Sequence, residues 1–147
     1  MRRSLGAVVA TTAAAAVLTA CGGDSPYCAT IRDTEGQLRA IGNAATDADL
    51  ATAAGAAQRI ADVAPEPVDA DWRGIASALT SFAETLKTVG ITYQDLLAQQ
   101  NLQDLTDDDR AKLTTSLEQL RQANSSTVTT RINDQVQDEC DIVIRPS

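Results

Sequence analysis

The sequence predicts an all-α fold, an up-down-up-down four-helix bundle with room for a short extra helix between the third and fourth. Apolar residues recur at spacings of three and four along nearly the whole chain after residue 25, the period of one helix face and not of a strand. Pro and Gly are sparse in the same stretch, so the connections between helices are short. Aromatic residues are only 3% of the 147 residues, which leaves Leu, Ile, Val and Ala to build the core.

The first helix starts at Ser25 or Pro26, because Ser caps a helix and Pro is tolerated in its first turn. It places Cys28, Ile31, Leu38, Ile41 and Ala45 along one stripe. The second opens at Thr46-Asp47-Ala48-Asp49, which supplies capping side chains and acids for the first turn. Its stripe of Leu50, Ala53, Ala57, Ile60 and Ala64 is mostly small, so its backbone can approach a neighbour closely. Pro65-Glu66-Pro67 ends this helix and seeds the third.

Val68, Trp72, Ile75, Leu79, Phe82, Leu86 and Val89 alternate at four and three and form the clearest helical face. The register continues to Tyr93 and Leu96, so Gly90 is either a weak point in a continued helix or the place where a short separate helix begins. The last helix opens at Thr106-Asp107-Asp108-Asp109 and carries Leu113, Leu117, Leu120, Val128, Ile132, Val136 and Cys140. Asn124-Ser125-Ser126-Thr127 has poor helix propensity, which predicts a kink or fray there. With an even number of antiparallel helices, the first residue of the first and the last residue of the fourth lie at the same end. Cys28 and Cys140 occupy those positions.

Residues 1–20 read as an export leader, with Arg2 and Arg3 as its charged start and an apolar run from Gly6 to Leu18. That run is shorter than the ~20 residues of a membrane span. It ends in Leu18-Thr19-Ala20-Cys21, which resembles the lipobox of bacterial lipoproteins. The resemblance implies that signal peptidase II cuts before Cys21 and that Cys21 carries the lipid. The alternative is an ordinary secretory leader with Cys21 an incidental thiol. Ten Arg against two Lys, with abundant Ala, Thr and Asp, is the bias of high-GC genomes, so the chain is similar to small actinobacterial envelope lipoproteins. The expected organisation is a signal peptide over 1–20, a lipidated tether over 21–26 and a helical bundle domain over 27–147. Two acyl chains hold such a domain stably to the extracytoplasmic face of the cell membrane without spanning it.

Removing the leader takes two Arg and moves the side-chain charge from −8 to −10. Lipid, rather than charge, must attach the domain to anionic membranes. Export also places Cys28 and Cys140 where disulfides persist. Their alternatives are free thiols or a redox couple, but neither lies in a CxxC spacing and each ends a helical pattern. Asp141-Ile142-Val143-Ile144-Arg145 follows as an apolar tail, expected to fold back on the base of the bundle or to touch the bilayer.

The chain has no His, which removes Ser-His-Asp and Cys-His catalysis and the usual zinc sites. The acidic balance argues against a nucleic-acid groove. Clustered carboxylates at Asp107-Asp108-Asp109 suit a cation in principle. Consecutive helix positions diverge, however, and no EF-hand spacing is present, so these acids read as a helix cap. Glu35, Glu84 and Glu118 are of a type that serves as general acid and base but read as solvated acids, and Trp72, Phe82 and Tyr93 suit the lining of an apolar pocket but at heptad spacing read as plain core. Asn124-Ser125-Ser126 matches a glycosylation sequon by coincidence. No cofactor, metal or enzymatic activity is expected.

Two function classes remain. The first is a non-catalytic interaction or scaffolding module that presents a surface to another envelope protein, with Leu96, Leu97, Leu102 and Leu105 as the candidate patch. The second is a carrier of a small apolar ligand or lipid, which requires a pocket of more than about 300 Å³.

Overall fold

A computed structural model describes residues 25–42 and 46–143. These residues form α1 (Pro26–Gly42), α2 (Asp47–Ala61), α3 (Glu66–Val89), α4 (Tyr93–Leu97), a single 3-10 turn (Leu102–Asp104), α5 (Asp107–Ala123) and α6 (Ser126–Cys140). No strand occurs among the described residues, and the chain is an all-α helical bundle.

α3 is the centre of the packing. It is 24 residues long, about 36 Å at 1.5 Å per residue, and it lies against α2, α5 and α6, while α1 lies against α2 and α6. Its stripe behaves as the spacing predicts, with Val68, Trp72, Leu79, Phe82 and Leu86 buried and Ile75 and Val89 half-buried. α2 buries more than one stripe. Ala54, Ala56 and Ala61 are covered as well as Leu50, Ala53, Ala57 and Ile60, because α1 and α3 approach it from two sides. The five alanines among those positions allow both neighbours to come close. In α1, Cys28 and Ile31 are buried as expected, and Tyr27 and Thr34 join them. Ile41 and Ala45 fall outside the described side chains.

Gly90 ends α3. It adopts φ 77°, the left-handed region that glycine enters without a Cβ clash, and its N–H donates to the Leu86 carbonyl. α4 then starts afresh, with Thr92 and Asp95 forming a reciprocal capping box. The apolar register nonetheless carries across the break. Ile91 is buried, and Tyr93 meets Phe82 edge to face with ring centroids 6.1 Å apart. The backbone N–H of Tyr93 donates to Asp47 Oδ1 at 2.7 Å, tying the start of α4 to the start of α2.

The last helix departs from expectation in one respect: it is two helices. Asn124 leaves helical geometry at φ −107° and ψ 31°, Ser125 is extended, and α6 begins at Ser126. Asn and Ser side chains compete for nearby backbone groups, and here the helix stops where a kink or fray was expected. The break also frees α5 from the register of α6. Leu113 and Ser116 are buried in α5, whereas Leu117, expected in the stripe, is 36% exposed. α5 faces the later part of α3, with Asp108 and Lys112 near Thr85. α6 faces the earlier part, with Arg131 gripping Asp71 through two hydrogen bonds of 2.6 and 2.9 Å.

Candidate functional site

Cys21 and the Leu18-Thr19-Ala20 that resembles a lipobox lie outside the described residues, as do Gly22 to Asp24. α1 starts where the sequence predicts, at Ser25–Pro26. Pro26 is its first residue, and Ser25 Oγ accepts the Cys28 N–H at 3.2 Å as a cap. Three residues therefore separate Cys21 from Ser25, a reach of about 14 Å at full extension.

Just beyond that point the two ends of the bundle are clasped. Cys28 and Cys140 form a disulfide with S–S 2.05 Å and Cα–Cα 5.2 Å, and both residues are buried. Ser25 Oγ donates to Glu139 Oε1 at 3.2 Å, and the Arg32 guanidinium donates to the Cys140 carbonyl at 3.3 Å. The last carbonyls of a helix have no partner within it, so Arg32 satisfies one such group and places a cation at the negative end of α6. Behind the clasp, the Trp72 indole N–H donates to Tyr27 Oη at 3.1 Å in a buried pair. Burial raises the Tyr27 hydroxyl above its ordinary pKa, the bond from Trp72 opposing that shift. Ile142 of the tail packs against the core while Val143 is 55% exposed. Ile144 and Arg145 lie outside the described residues.

At the other end, the candidate patch is only partly a surface. Leu105 is buried, which removes it from the patch: it sits between the 3-10 turn and the cap of α5, where the chain turns back onto the core. Leu96 and Leu102 are half-buried against the same core. Leu97 alone is exposed, at 58%. What sequence reasoning missed is its setting. Between Gly90 and Gln103 the one charged residue is Asp95, whose carboxylate is turned into the α4 cap, accepting from the Thr92 hydroxyl and backbone N–H. Those bonds, the hydroxyl first, hold Asp95 below the usual carboxylate range. Gln94, Gln99, Gln100, Asn101 and Gln103 are all exposed, so the connection is a charge-poor, amide-rich tip on an acidic protein. Gln99 and Asn101 adopt positive φ of 54° and 59°. The signal was available in the sequence as a charge-poor stretch in a chain that is 22% charged.

The acids at the start of α5 are engaged in its cap and in ion pairs. Thr106 Oγ1 accepts the Asp109 N–H and donates to Asp109 Oδ2, while Arg110 pairs with Asp107, and Lys112 with Asp108 and Asp109. Glu118 pairs with Arg121, Glu84 is exposed on α3, and Glu35 is half-buried on α1. Among the described residues no group of three or more Cys, Asp or Glu could hold a metal, and no helix is long and apolar enough to cross a membrane.

Three of the concavities among the described residues differ in character. A wide polar groove of about 570 Å³ follows one side of α6 past Thr130, Asp134 and Asp138. A second, of about 380 Å³, lies between Thr85 of α3 and Lys112 and Thr115 of α5. The third is apolar and much smaller, about 140 Å³, where Leu38, Trp72, Ile75 and Ile132 meet beside the α5–α6 break. No family model, curated protein or solved structure matches the chain.

Proposed function

We propose that the chain is a lipid-anchored envelope lipoprotein, of the small actinobacterial type, acting as a non-catalytic interaction or scaffolding module at the outer face of the cell membrane. The anchoring half of this reading is supported by the leader, the lipobox ending at Cys21 and the three-residue tether that leads into α1. The partner is another envelope protein.

Leu97 carries the interaction half. Leu97 is the member of the candidate patch that stays exposed, at 58%, in a charge-poor connection beside the half-buried Leu96 and Leu102, and it offers a partner an apolar contact there. Its location supports the same reading. Trp72 lies beside the clasp, and Val89, which precedes the tip, is 17 residues further along α3, about 26 Å away. A short tether at one end and an apolar residue at the other suit a domain that projects its tip from the membrane. The carrier reading is less well supported, because the apolar recess of about 140 Å³ is smaller than the roughly 300 Å³ a ligand-burying pocket needs, and the concavities of about 570 and 380 Å³ are wide and lined mostly by polar side chains.

Two measurements test it. Cys21→Ser is expected to move the protein from the membrane fraction to the soluble exported fraction. A photocrosslinking residue in place of Leu97 is expected to give a discrete adduct in native membranes that the same probe in place of Glu118 does not give. A Cys21→Ser variant that stays membrane-bound, or identical adduct patterns from the two positions, overturns the proposal.

A further inference from the structure

α6 ends at the clasp, and the chain that follows it is apolar. Asp141, at φ 55°, closes the helix in the left-handed region, its N–H donating to the Gln137 carbonyl. Beyond that turn Ile142 returns to the core, while Val143 is 55% exposed. Ile144 and Arg145 come next in the sequence. Val143 lies three residues after Cys140, and Ser25 three residues before Cys28, each within about 10 Å of its cysteine along the chain. The Cα atoms of Cys28 and Cys140 are 5.2 Å apart, and Ser25 bonds Glu139 across the clasp. The chain leading from Cys21 and the tail after α6 therefore leave the bundle at one end.

One valine holds no free protein to a membrane, since even a whole acyl chain binds only marginally by itself. On a domain already held by lipid at Cys21 the contact becomes intramolecular, because the tether keeps Ser25 within about 14 Å of Cys21 and the tail shares that end. We infer that the tail beginning at Val143 enters the headgroup boundary of the phospholipid bilayer and gives the domain a second membrane contact beside the lipid on Cys21. This inference rests on the anchoring reading above. Charge sets its depth. Asp138 and Asp141 are exposed at the same end and stay in water, and Asp141 lies two residues from Val143, about 7 Å of chain, so the contact is shallow. Arg145, beside Val143-Ile144, supplies a cation for lipid phosphate. A lone tether leaves the tilt of a domain unrestrained. A second contact on the other side of the bridge restricts it and keeps the connection that carries Leu97 turned away from the bilayer.

A nitroxide on Ser147→Cys leaves Val143 intact and reports where the tail lies. The full chain, purified from the membranes of the cells that make it, would be placed in vesicles of phosphatidylcholine and phosphatidylglycerol. The label would be exposed in turn to oxygen, which concentrates in lipid, and to a nickel chelate, which stays in water. At Ser147→Cys, relaxation by oxygen is expected to exceed relaxation by nickel, and the reverse is expected for the same label at Glu118→Cys on α5. Adding Val143→Asp to the Ser147→Cys chain is expected to lower the lipid-facing population about tenfold, the effect of withdrawing one buried aliphatic side chain. Val143 is exposed, so the variant leaves the core intact. A water-facing label on vesicle-bound chain, a label shielded from both agents because the tail packs on the bundle, or a lipid-facing signal that Val143→Asp leaves unchanged overturns the proposal. Flotation with the vesicles reads the anchor separately. A chain that floats with a water-facing label keeps the anchor and loses the tail contact. A chain that does not float, or a Cys21→Ser variant that floats as well as the parent, overturns the anchoring reading and this inference with it.

Discussion

Thr-x-x-Asp recurs at Thr46 to Asp49, Thr92 to Asp95 and Thr106 to Asp109, and each time it starts a helix. The Thr hydroxyl accepts the backbone N–H three residues on, and the same hydroxyl donates back to the carboxylate. A carboxylate near the positive end of a helix is favoured over its neutral acid. Asp95 and Asp109 are accordingly held below the usual carboxylate range, chiefly by their Thr partners. A lowered folded pKa means that the unfolded chain takes up protons first as pH falls. This stabilisation is present above the unfolded carboxylate value, near pH 4, and is lost as pH drops through the lower folded value. Thermal unfolding measured from pH 7 to pH 2 is expected to fall below about pH 4, and Asp95→Asn is expected to flatten part of that fall. Tyr27 belongs to the same scale but acts through burial. Tyr27→Phe removes the acceptor of a buried indole N–H, an expected loss of about 1–3 kcal/mol in denaturant unfolding.

At the level of elements, glycine has opposite meanings in different places. A Cβ at Gly55, Gly74 or Gly90 would meet nothing within 4 Å, so backbone conformation alone decides the outcome of substitution. Gly90 has φ 77°, whereas Gly55 and Gly74 are exposed positions inside α2 and α3. Gly90→Ala is expected to destabilise by about 1–2 kcal/mol. Gly55→Ala and Gly74→Ala are each expected to stabilise by up to about 1 kcal/mol, and denaturation midpoints of the three variants check the contrast. Helix identity was legible in the sequence wherever apolar periodicity and a cap coincide, as at Thr46 with the α2 stripe or at Thr106 with Leu113. It was ambiguous at Gly90, because tertiary packing of Ile91 and Tyr93 continues the apolar pattern across a backbone break. It was overextended at Asn124, because Val128, Ile132 and Val136 keep helical spacing although the chain has reset its direction. Periodicity reports which residues face the core, and it does not report whether the backbone between them is continuous.

The whole molecule is organised by a closure that sequence could suggest through parity and structure could locate in space. Cys28 and Cys140 were readable as a pair because each ends a helical pattern, but the bonds from Ser25 to Glu139 and from Arg32 to the Cys140 carbonyl were not. They depend on side chains that acquire meaning only after the helices meet. Leu105 failed as a surface residue for the same reason, since its burial comes from the return of the chain toward α5. The disulfide spans a sequence separation of 112, and closing a loop of that size restricts the unfolded chain by up to roughly 4–5 kcal/mol. Its loss should not affect all helices equally. α3 is held by α2, α5 and α6, whereas α1 rests on α2 and, through the clasp, on α6. With Cys28→Ser and Cys140→Ser combined, denaturant unfolding is expected to show a loss approaching that range. Hydrogen exchange under native conditions is expected to show amides of α1 losing protection before those of α3, because opening α1 exposes only its own face. Uniform loss of protection across α1 and α3 would mean that the bridge stabilises the bundle as one cooperative unit and that the clasp confers no local hold. With Cys21 lipid-anchored as proposed, the selective outcome would also make the bridge the element that keeps a pull on Cys21 from peeling α1 away from the rest of the domain.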